Sequence, residues 1–155
     1  MNDKERILIE LLNEEWNKLK IAMQGLQMSI NKCDKIGIKD IYTFEEMEAF
    51  DSLSSKFARN SDILFQKIFK NILILLGENA FTFVDRINLL SKLNVIEDTD
   101  KVKAMRDFRN QIVHEYFIEQ ITTLYPQLID YSKELIHLFN NTEKYLLQRN
   151  WINNN

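Results

Sequence analysis

The stretch KERILIELLNEEWNKLKIAMQGLQMSINKC, residues 4–33, decides the fold. Its apolar side chains recur every three or four residues, the spacing at which they line one face of an α-helix. The members of this face are Leu8, Leu12, Trp16, Leu19, Met23, Leu26 and Ile30. We therefore predict a long amphipathic helix that breaks near Gly37 and needs other helices to cover its apolar face.

The rest of the chain supports an all-α fold. The 155 residues include three glycines and one proline, and so few breakers favour long helices over a sheet with many hairpins. Residues 1–155 are predicted to form a single up-and-down bundle of four to five helices. An extended coiled coil is the weaker alternative, because loops return the chain repeatedly.

Further helix boundaries follow from capping patterns. Thr43-Phe44-Glu45-Glu46 is a capping box that opens a second long helix toward Gly77, which Asn60-Ser61 either kinks or splits. Thr82 opens a third helix, and the acidic stretch 97–100 precedes a fourth. Pro126 fits the start of the last helix, and the tail Trp151–Asn155 is expected to fray.

Charge and composition exclude several classes of protein. The net charge of −3 and pI near 5.5 provide no global field for nucleic acid, so any such binding needs a local basic patch. Cys33 is the only cysteine, which rules out an intrachain disulfide and fits a reducing cytosol. The N-terminus lacks the design of a cleavable signal, and the apolar run Ile72–Leu76 is too short to span a bilayer. We expect a cytoplasmic protein without a membrane role.

One stretch carries groups suited to catalysis, RNQIVHEY at residues 109–116. It places a permanent cation, an amide, an imidazole and a phenol within about two helical turns. The cation, the amide and the phenol can polarise phosphate oxygens, and the imidazole can move a proton near neutral pH.

Helical geometry predicts how these side chains are arranged. Met105, Phe108 and Ile112 should face the bundle, while a polar face carries Lys103, Arg106, Asn110 and His114. Arg109 lies at the boundary between these two faces, and Tyr116 and Phe117 are placed on the same helix, with Tyr116 close to the direction of Arg109. Val113 and Phe117 interrupt the polar face with apolar surface, so we expect this face to meet another subunit.

Each of these residues also has a plainer interpretation. His114 could be a surface histidine at a helix end, Tyr116 a half-buried core aromatic, and Lys103 and Arg106 solvated charges. His137 is interpreted as structural, with no obvious partner. Asp62 could cap the second half of the long helix, pair with Arg59, or face residues 109–116 across the bundle. Gly-rich phosphate loops, paired-histidine metal motifs and nucleophile elbows do not occur, so neither a metal nor a cofactor is expected.

The pattern Arg109-Asn110-x-x-x-His114-x-Tyr116 resembles the R-x-x-x-x-H-x-Y signature of the HEPN superfamily. The wider string from Met105 is similar to that of HepT-type toxins, which are encoded with MNT-type minimal nucleotidyltransferase antitoxins. The resemblance implies a HEPN-like helical bundle and a metal-independent endoribonuclease, active as a homodimer whose two motif helices face each other. Tyr116 resembles the tyrosine that the antitoxin adenylylates in such systems, which would block RNA.

The chemistry of RNA cleavage suits these residues. His114 would act as the base for the 2′-OH or as the acid for the 5′-oxygen, and Arg109 would stabilise the phosphoryl charge. Asn110 would orient His114 or the phosphate by hydrogen bonding. Lys103 and Arg106 would bind RNA phosphates, and Asp62 would support the site. Two alternatives remain open at this point: a non-catalytic adaptor that binds a nucleotidyltransferase, and a bundle without any link to nucleotides.

Overall fold

The computed structural model describes residues 1–79 and 82–153, and every regular element in these ranges is helical. The α-helices are α1 Asp3–Ile36, α2 Phe44–Asp62, α3 Phe69–Leu75, α4 Phe83–Lys92, α5 Thr99–His114, α6 Ile118–Ile121 and α7 Tyr125–Gln148. A π-helical segment, Ile63–Ile68, joins α2 to α3, and the 3-10 turn Thr122–Leu124 joins α6 to α7.

The long helices pack as the predicted bundle. Helix α1 lies against α2, α3 and α7, while α5 packs on α2 and α4 bridges α3 and α5. Aromatic rings stack between the helices of the core, with centroids 4.4 Å apart for Trp16 and Phe139 and 4.0 Å apart for Phe50 and Tyr125. The all-α bundle is therefore confirmed, and the extended coiled coil is not the fold. No helix in the described ranges is long and apolar enough to cross a membrane.

The second long helix neither ends nor splits at Asn60-Ser61. Its backbone stays helical through Asp62, widens into the π-helical segment, and continues as α3. Asn60 is buried, and its Nδ2 donates a hydrogen bond to the Ala22 carbonyl of α1 at 3.1 Å. A π-helical turn is a local widening of the helix that often occurs at functional sites. Its position directly after Asp62 therefore marks this end of α2 as a candidate functional region.

Most predicted boundaries are confirmed. The capping box forms in both directions, since the Glu46 N–H donates to Thr43 and the Thr43 N–H donates to the Glu46 carboxylate. The α1 break falls at Gly37 and the α3 end at Gly77, both with positive φ. After α3 the Glu78 N–H donates to the Leu73 carbonyl and the Gly77 N–H to Ile74, which is the Schellman pattern.

The prediction of a frayed C-terminus is wrong for Trp151 and Ile152, while Asn154 and Asn155 lie outside the described residues. Trp151 and Ile152 are buried, and the Trp151 N–H donates to the Leu146 carbonyl at 3.0 Å. Asn150, at φ 57°, supplies the left-handed turn that folds the chain back onto α7. Burial of these two apolar side chains offsets the entropy lost by ordering the tail.

Candidate functional site

Helix α5 carries most of the candidate residues, and its apolar side fixes how they are presented. Its buried residues are Val102, Met105, Phe108 and Ile112, in agreement with the helical pattern. The Phe108 ring packs against Phe57 of α2 and Tyr131 of α7, with centroid distances of 5.9 and 5.0 Å. These contacts leave the adjacent edge of α5, with Arg109, directed toward the end of α2.

Arg109 is held by two hydrogen bonds to Asp62. Its Nε lies 3.0 Å from Asp62 Oδ1 and its Nη2 lies 2.6 Å from Oδ2, a side-on pairing of guanidinium and carboxylate. The third nitrogen, Nη1, donates to the Asn110 amide oxygen at 3.4 Å. Both side chains of the ion pair are about two-thirds buried or more, so the guanidinium is fixed in orientation more firmly than a surface arginine. Of the three alternatives for Asp62, the structure therefore shows the contact across the bundle.

This ion pair forms one wall of a pocket of about 330 Å³ between the π-helical segment, α4 and α5. The lining residues are Ser61, Asp62, Phe65, Gln66, Phe83, Arg86, Arg106, Arg109 and Asn110. The Arg106 guanidinium carbon lies 4.3 Å from the centroid of the Phe83 ring, at cation–π distance. Three guanidinium groups face a single carboxylate here, so an acidic protein carries a locally basic pocket.

His114 lies outside this pocket. It is the last residue of α5, its side chain is exposed, and it makes no hydrogen bond or ion pair with the described part of the chain. Five residues separate it from Arg109, which places the two side chains about 140° apart in direction and about 7.5 Å apart along the helix axis. The chain therefore presents an anchored arginine and an exposed imidazole on different sides of the same helix end.

The prediction that the helix continues through Tyr116 and Phe117 is wrong. Helix α5 ends at His114, and Glu115 and Phe117 have extended backbones with ψ of 120° and 129°. The Phe117 N–H donates to the Glu115 carboxylate at 3.3 Å, which replaces a bond that a continuing helix would supply. Tyr116 is 83% exposed, so its interpretation as a half-buried core aromatic is wrong as well.

Comparison with known proteins identifies the family. A family model described as "Ribonuclease HepT-like" matches residues 38–137, close to two-thirds of the chain, including Asp62 and all of α5. The chain belongs to the HepT-like ribonuclease family. A search of curated proteins found no match, and a search of solved structures found none either.

The HepT-like fold brings four of the predicted site residues together and leaves three apart. Asp62, Arg106, Arg109 and Asn110 share the pocket. The three residues that do not line it are Lys103, His114 and Tyr116. The roles assigned to these side chains in RNA binding and cleavage stay predictions.

His137, the second histidine, has a partner that the sequence analysis did not foresee. Its Nε2 lies 3.2 Å from a Glu97 carboxylate oxygen, and the Asn141 amide donates to the other oxygen at 3.2 Å. The hydrogen bond with His137 is the main reason why the pKa of Glu97 lies below its usual value. The contact joins α7 to the loop before α5, which agrees with a structural role.

Five lining residues of the pocket were missed as site residues by sequence analysis, namely Ser61, Phe65, Gln66, Phe83 and Arg86. They come from the end of α2, the π-helical segment and α4, and their approach to α5 depends on tertiary packing. The sequence carried one usable signal, since Arg86 is a cation directly beside the buried Ile87 of α4. Within residues 1–79 and 82–153 no three His, Cys, Asp or Glu side chains group at spacing suited to a metal ion.

An exposed apolar surface adjoins the end of α5. We define the α5–α6 apolar surface by Val113, Phe117 and Ile118, which are 37%, 69% and 54% exposed. Ile118 also lines a shallow groove with Phe44, whose ring is 81% exposed at the start of α2. Exposed apolar side chains gathered in one region are typical of a surface that meets another protein.

Proposed function

We propose that this HepT-like protein is a metal-independent endoribonuclease that acts as a homodimer, with RNA held in a cleft between two α5 helices. The supporting observation is the arrangement at the end of α5. Arg109 is anchored in a basic pocket by Asp62, while His114 at the same helix end is exposed and unpartnered among the described residues.

The proposed reaction is an internal transfer at one RNA phosphate. The 2′-OH loses its proton to His114 of one subunit, and its oxygen attacks the adjacent phosphorus. The P–O5′ bond breaks, and the partner's His114 gives a proton to the leaving 5′-oxygen. The products are a 2′,3′-cyclic phosphate and a 5′-hydroxyl. The Arg109 guanidinium stabilises the charge that grows on the non-bridging oxygens.

A dimer supplies what one subunit lacks. One imidazole cannot accept and donate a proton in the same step, whereas two imidazoles on opposite sides of the phosphate can. Because His114 and Val113 are neighbours at the end of α5, burying the α5–α6 apolar surface against a second copy brings the two imidazoles toward one cleft.

Cleavage of single-stranded RNA in EDTA tests the proposal. Purified protein should cut, and His114→Ala should lower the rate by about 10²–10⁴-fold, the usual contribution of acid–base catalysis. Arg109→Ala should also abolish most cleavage. His137→Ala is the matched control because it removes the other histidine, and it should cut at the wild-type rate. Equal rates for the His114 and His137 variants would contradict the proposal.

The proposal includes a means of neutralising the nuclease through Tyr116. A cognate MNT-type nucleotidyltransferase would transfer AMP from ATP. The phenol oxygen attacks the α-phosphorus, pyrophosphate leaves, and the phenol proton passes to a base of that enzyme. All five tyrosines lie in the described ranges, and Tyr116 alone is exposed, on an extended backbone two residues from His114. The added phosphodiester would place bulk and negative charge where RNA must enter.

Mass spectrometry after incubation with the cognate partner and ATP tests this modification. Wild-type protein should gain the mass of one AMP on the peptide that contains Tyr116, and its RNA cleavage should stop. Tyr116→Phe should keep cutting RNA under the same conditions. Tyr131→Phe is the control, and it should be modified like wild type. AMP on another residue, or none at all, would refute the proposed regulation.

The second candidate is a non-catalytic adaptor of a nucleotidyltransferase. The Arg109–Asp62 ion pair favours it, because two of the guanidinium's donor groups are already occupied. RNA that stays intact at high protein concentration, together with binding to the nucleotidyltransferase, would support the adaptor over the nuclease.

A further inference from the structure

The shallow groove that contains Phe44 and Ile118 is not used by the proposed reaction. It lies between the first two turns of α2 and helix α6, and its walls are formed by Phe44, Met47, Glu48, Asp51, Ile118 and Ile121. We infer that this groove docks the nucleotidyltransferase that modifies Tyr116, through a segment in which a lysine or arginine lies between apolar residues. The inference rests on the proposed function for the partner, and it adds the place and the chemistry of the contact.

The apolar part of the groove is open to solvent. The side chains of Phe44 and Ile118 are exposed, and Met47 and Ile121 are half-buried beside them. Ile41, three residues before Phe44 in the chain, is exposed as well. A groove with several exposed apolar side chains gains free energy when apolar residues of another protein cover it.

Two carboxylates belong to the same groove. Glu48 and Asp51 follow Phe44 at spacings of four and seven residues, which places all three on one face of α2. Neither carboxylate has a hydrogen bond or an ion pair among the described residues. Burial, and then the charge of Glu48, raise the pKa of Asp51. The two negative charges therefore disfavour each other in the free protein, and a cation bound between them would be stabilised.

A buried hydroxyl lies next to these carboxylates. Tyr125 also lines the groove, and its hydroxyl is buried without a hydrogen-bond partner in the described part of the chain. Burial, and then the charge of Asp51, raise the pKa of this phenol, so the phenol and the carboxylate are close enough to interact. Buried polar groups without a partner are uncommon in folded proteins. The N–H groups of an inserted lysine or arginine would find several acceptor oxygens in this part of the groove.

Volume and charge together favour a basic side chain of another protein. The groove has a volume of about 150 Å³, below the range of about 300–1,000 Å³ for small-molecule sites, so it suits one inserted side chain. The carboxylates of Glu48 and Asp51 would repel the phosphates of RNA or of a lipid surface. A second copy that paired symmetrically through this groove would bring the same two acids face to face. A basic segment of a different protein avoids both conflicts.

The position of the groove favours the enzyme that acts on Tyr116. Ile118 follows Tyr116 by only two residues, a distance of at most about 7 Å along the backbone. The Tyr116 ring is exposed, and Phe117 between the two residues has an extended backbone. An enzyme that is docked in the groove would therefore keep the phenol within reach of its active site.

Biolayer interferometry with the purified cognate nucleotidyltransferase measures the contact. Glu48→Gln and Asp51→Asn should each raise Kd about threefold to tenfold, because each removes one charge that faces the basic side chain. Phe44→Ala should raise Kd about tenfold, as expected when an aromatic anchor of an interface is truncated. A wild-type protein that forms no complex with the enzyme would overturn the inference.

Two exposed residues of α1 outside the groove provide matched controls. Glu10→Gln removes the same charge as Glu48→Gln, and Ile21→Ala removes exposed apolar surface as Phe44→Ala does. Both controls should change Kd by less than about twofold. Thermal unfolding of Glu48→Gln should occur at the wild-type temperature or slightly above it, because the variant relieves repulsion with Asp51. Weaker binding by this variant would then not be caused by misfolding.

The kinetics of AMP transfer separate this inference from the proposed function. Phe44→Ala and Asp51→Asn should raise KM for modification of Tyr116 while kcat stays within about twofold, because docking is impaired and the chemistry is not. Wild-type values of Kd and KM in both variants would overturn the inference and leave the modification of Tyr116 intact. Binding that depends on the groove without any AMP on Tyr116 would support the inference and contradict the proposed modification. Variants that lose self-association but bind the enzyme normally would assign the groove to a second copy and overturn the inference.

Discussion

Tyr125 shows how a single buried group affects the stability of this protein. Its ring stacks on Phe50 in the core, and its hydroxyl is buried without a hydrogen-bond partner in the described part of the chain. Burial is the main cause that raises the pKa of Tyr125 to about 12, with the charge of Asp51 adding to it. The folded protein therefore keeps the neutral phenol at a pH where the unfolded chain has lost the proton.

Tyr125→Phe should remove this pH dependence. The core favours the neutral phenol, so the raised pKa makes the free energy of unfolding depend on pH. The contribution of Tyr125 is fully present below pH 10, and it is lost as the pH rises from 10 through about 12. We expect Tyr125→Phe to be more stable than wild type by about 1 kcal/mol at pH 7, because it removes an unpaired hydroxyl. Urea unfolding at several pH values should show a shallower decline above pH 10.

The decline should not vanish entirely. Burial also raises the pKa of the Cys33 thiol to about 11, so this group acts in the same direction. Tyr116→Phe is the control. The Tyr116 ring is exposed, so this substitution should leave the dependence of the free energy of unfolding on pH as it is in wild type. A Tyr125→Phe protein that loses stability above pH 10 as steeply as wild type would argue against this account.

At the scale of elements, helix ends position the candidate site. Helix α4 brings Phe83 and Arg86 to the pocket, and it ends in a Schellman motif at Asn94. The Val95 N–H donates to the Leu90 carbonyl and the Asn94 N–H to Ser91, with Asn94 at φ 62°. This turn also lets Val95 and Ile96 become buried before α5 begins.

Substitutions at Asn94 should separate backbone strain from side-chain contacts. Asn94→Ala should destabilise the protein by about 1 kcal/mol, because the Cβ of alanine crowds the backbone in the left-handed conformation and alanine has no polar side chain to hydrogen-bond locally. Asn94→Gly should be neutral or slightly stabilising, since glycine adopts positive φ readily. Thermal unfolding measures both. Equal loss of stability in the two variants would show that the asparagine side chain, not the backbone, matters here.

The sequence predicted elements better than their ends and contacts. The faces of α1 and α5 were predictable because helical periodicity is local. The start of α2 and the end of α3 were predictable because Thr43 caps the first and Gly77 adopts the positive φ that ends the second. The end of α5 at His114 was not, since nothing in residues 109–116 breaks a helix as proline would. The π-helical segment and the pocket were out of reach, because Phe83 and Arg86 meet Arg106 only through packing of separate helices.

At the scale of the whole molecule, charge and exposed apolar surface are distributed unevenly. The chain has a net charge of −3, yet its basic pocket gathers three arginines around one carboxylate. The α5–α6 apolar surface lies at the end of the same helix that carries Arg109. Any attraction of this chain for a polyanion is therefore local rather than spread over its surface.

Mixed dimers test whether two subunits share one reaction. If both imidazoles are needed in one cleft, a dimer of wild type and His114→Ala is inactive. After unfolding and refolding together, a tenfold excess of the variant should lower cleavage per wild-type chain to about a tenth, because random pairing leaves few wild-type dimers. His137→Ala in the same excess is the control. Cleavage per wild-type chain that does not change with the excess would mean that each subunit acts alone.

The π-helical segment also affects how the gene can vary. Its widened turn sets the rotation of α2 relative to α3, and both of these helices are anchored on α1. A π-helical turn holds one residue more than an α-helical turn, so losing one codon between positions 63 and 68 would close it to a regular turn and leave α2 and α3 on their anchors. Replacing the exposed Lys67 should be tolerated, whereas a single-residue deletion beside it should keep the bundle folded but displace Phe65 or Gln66 from the lining of the pocket.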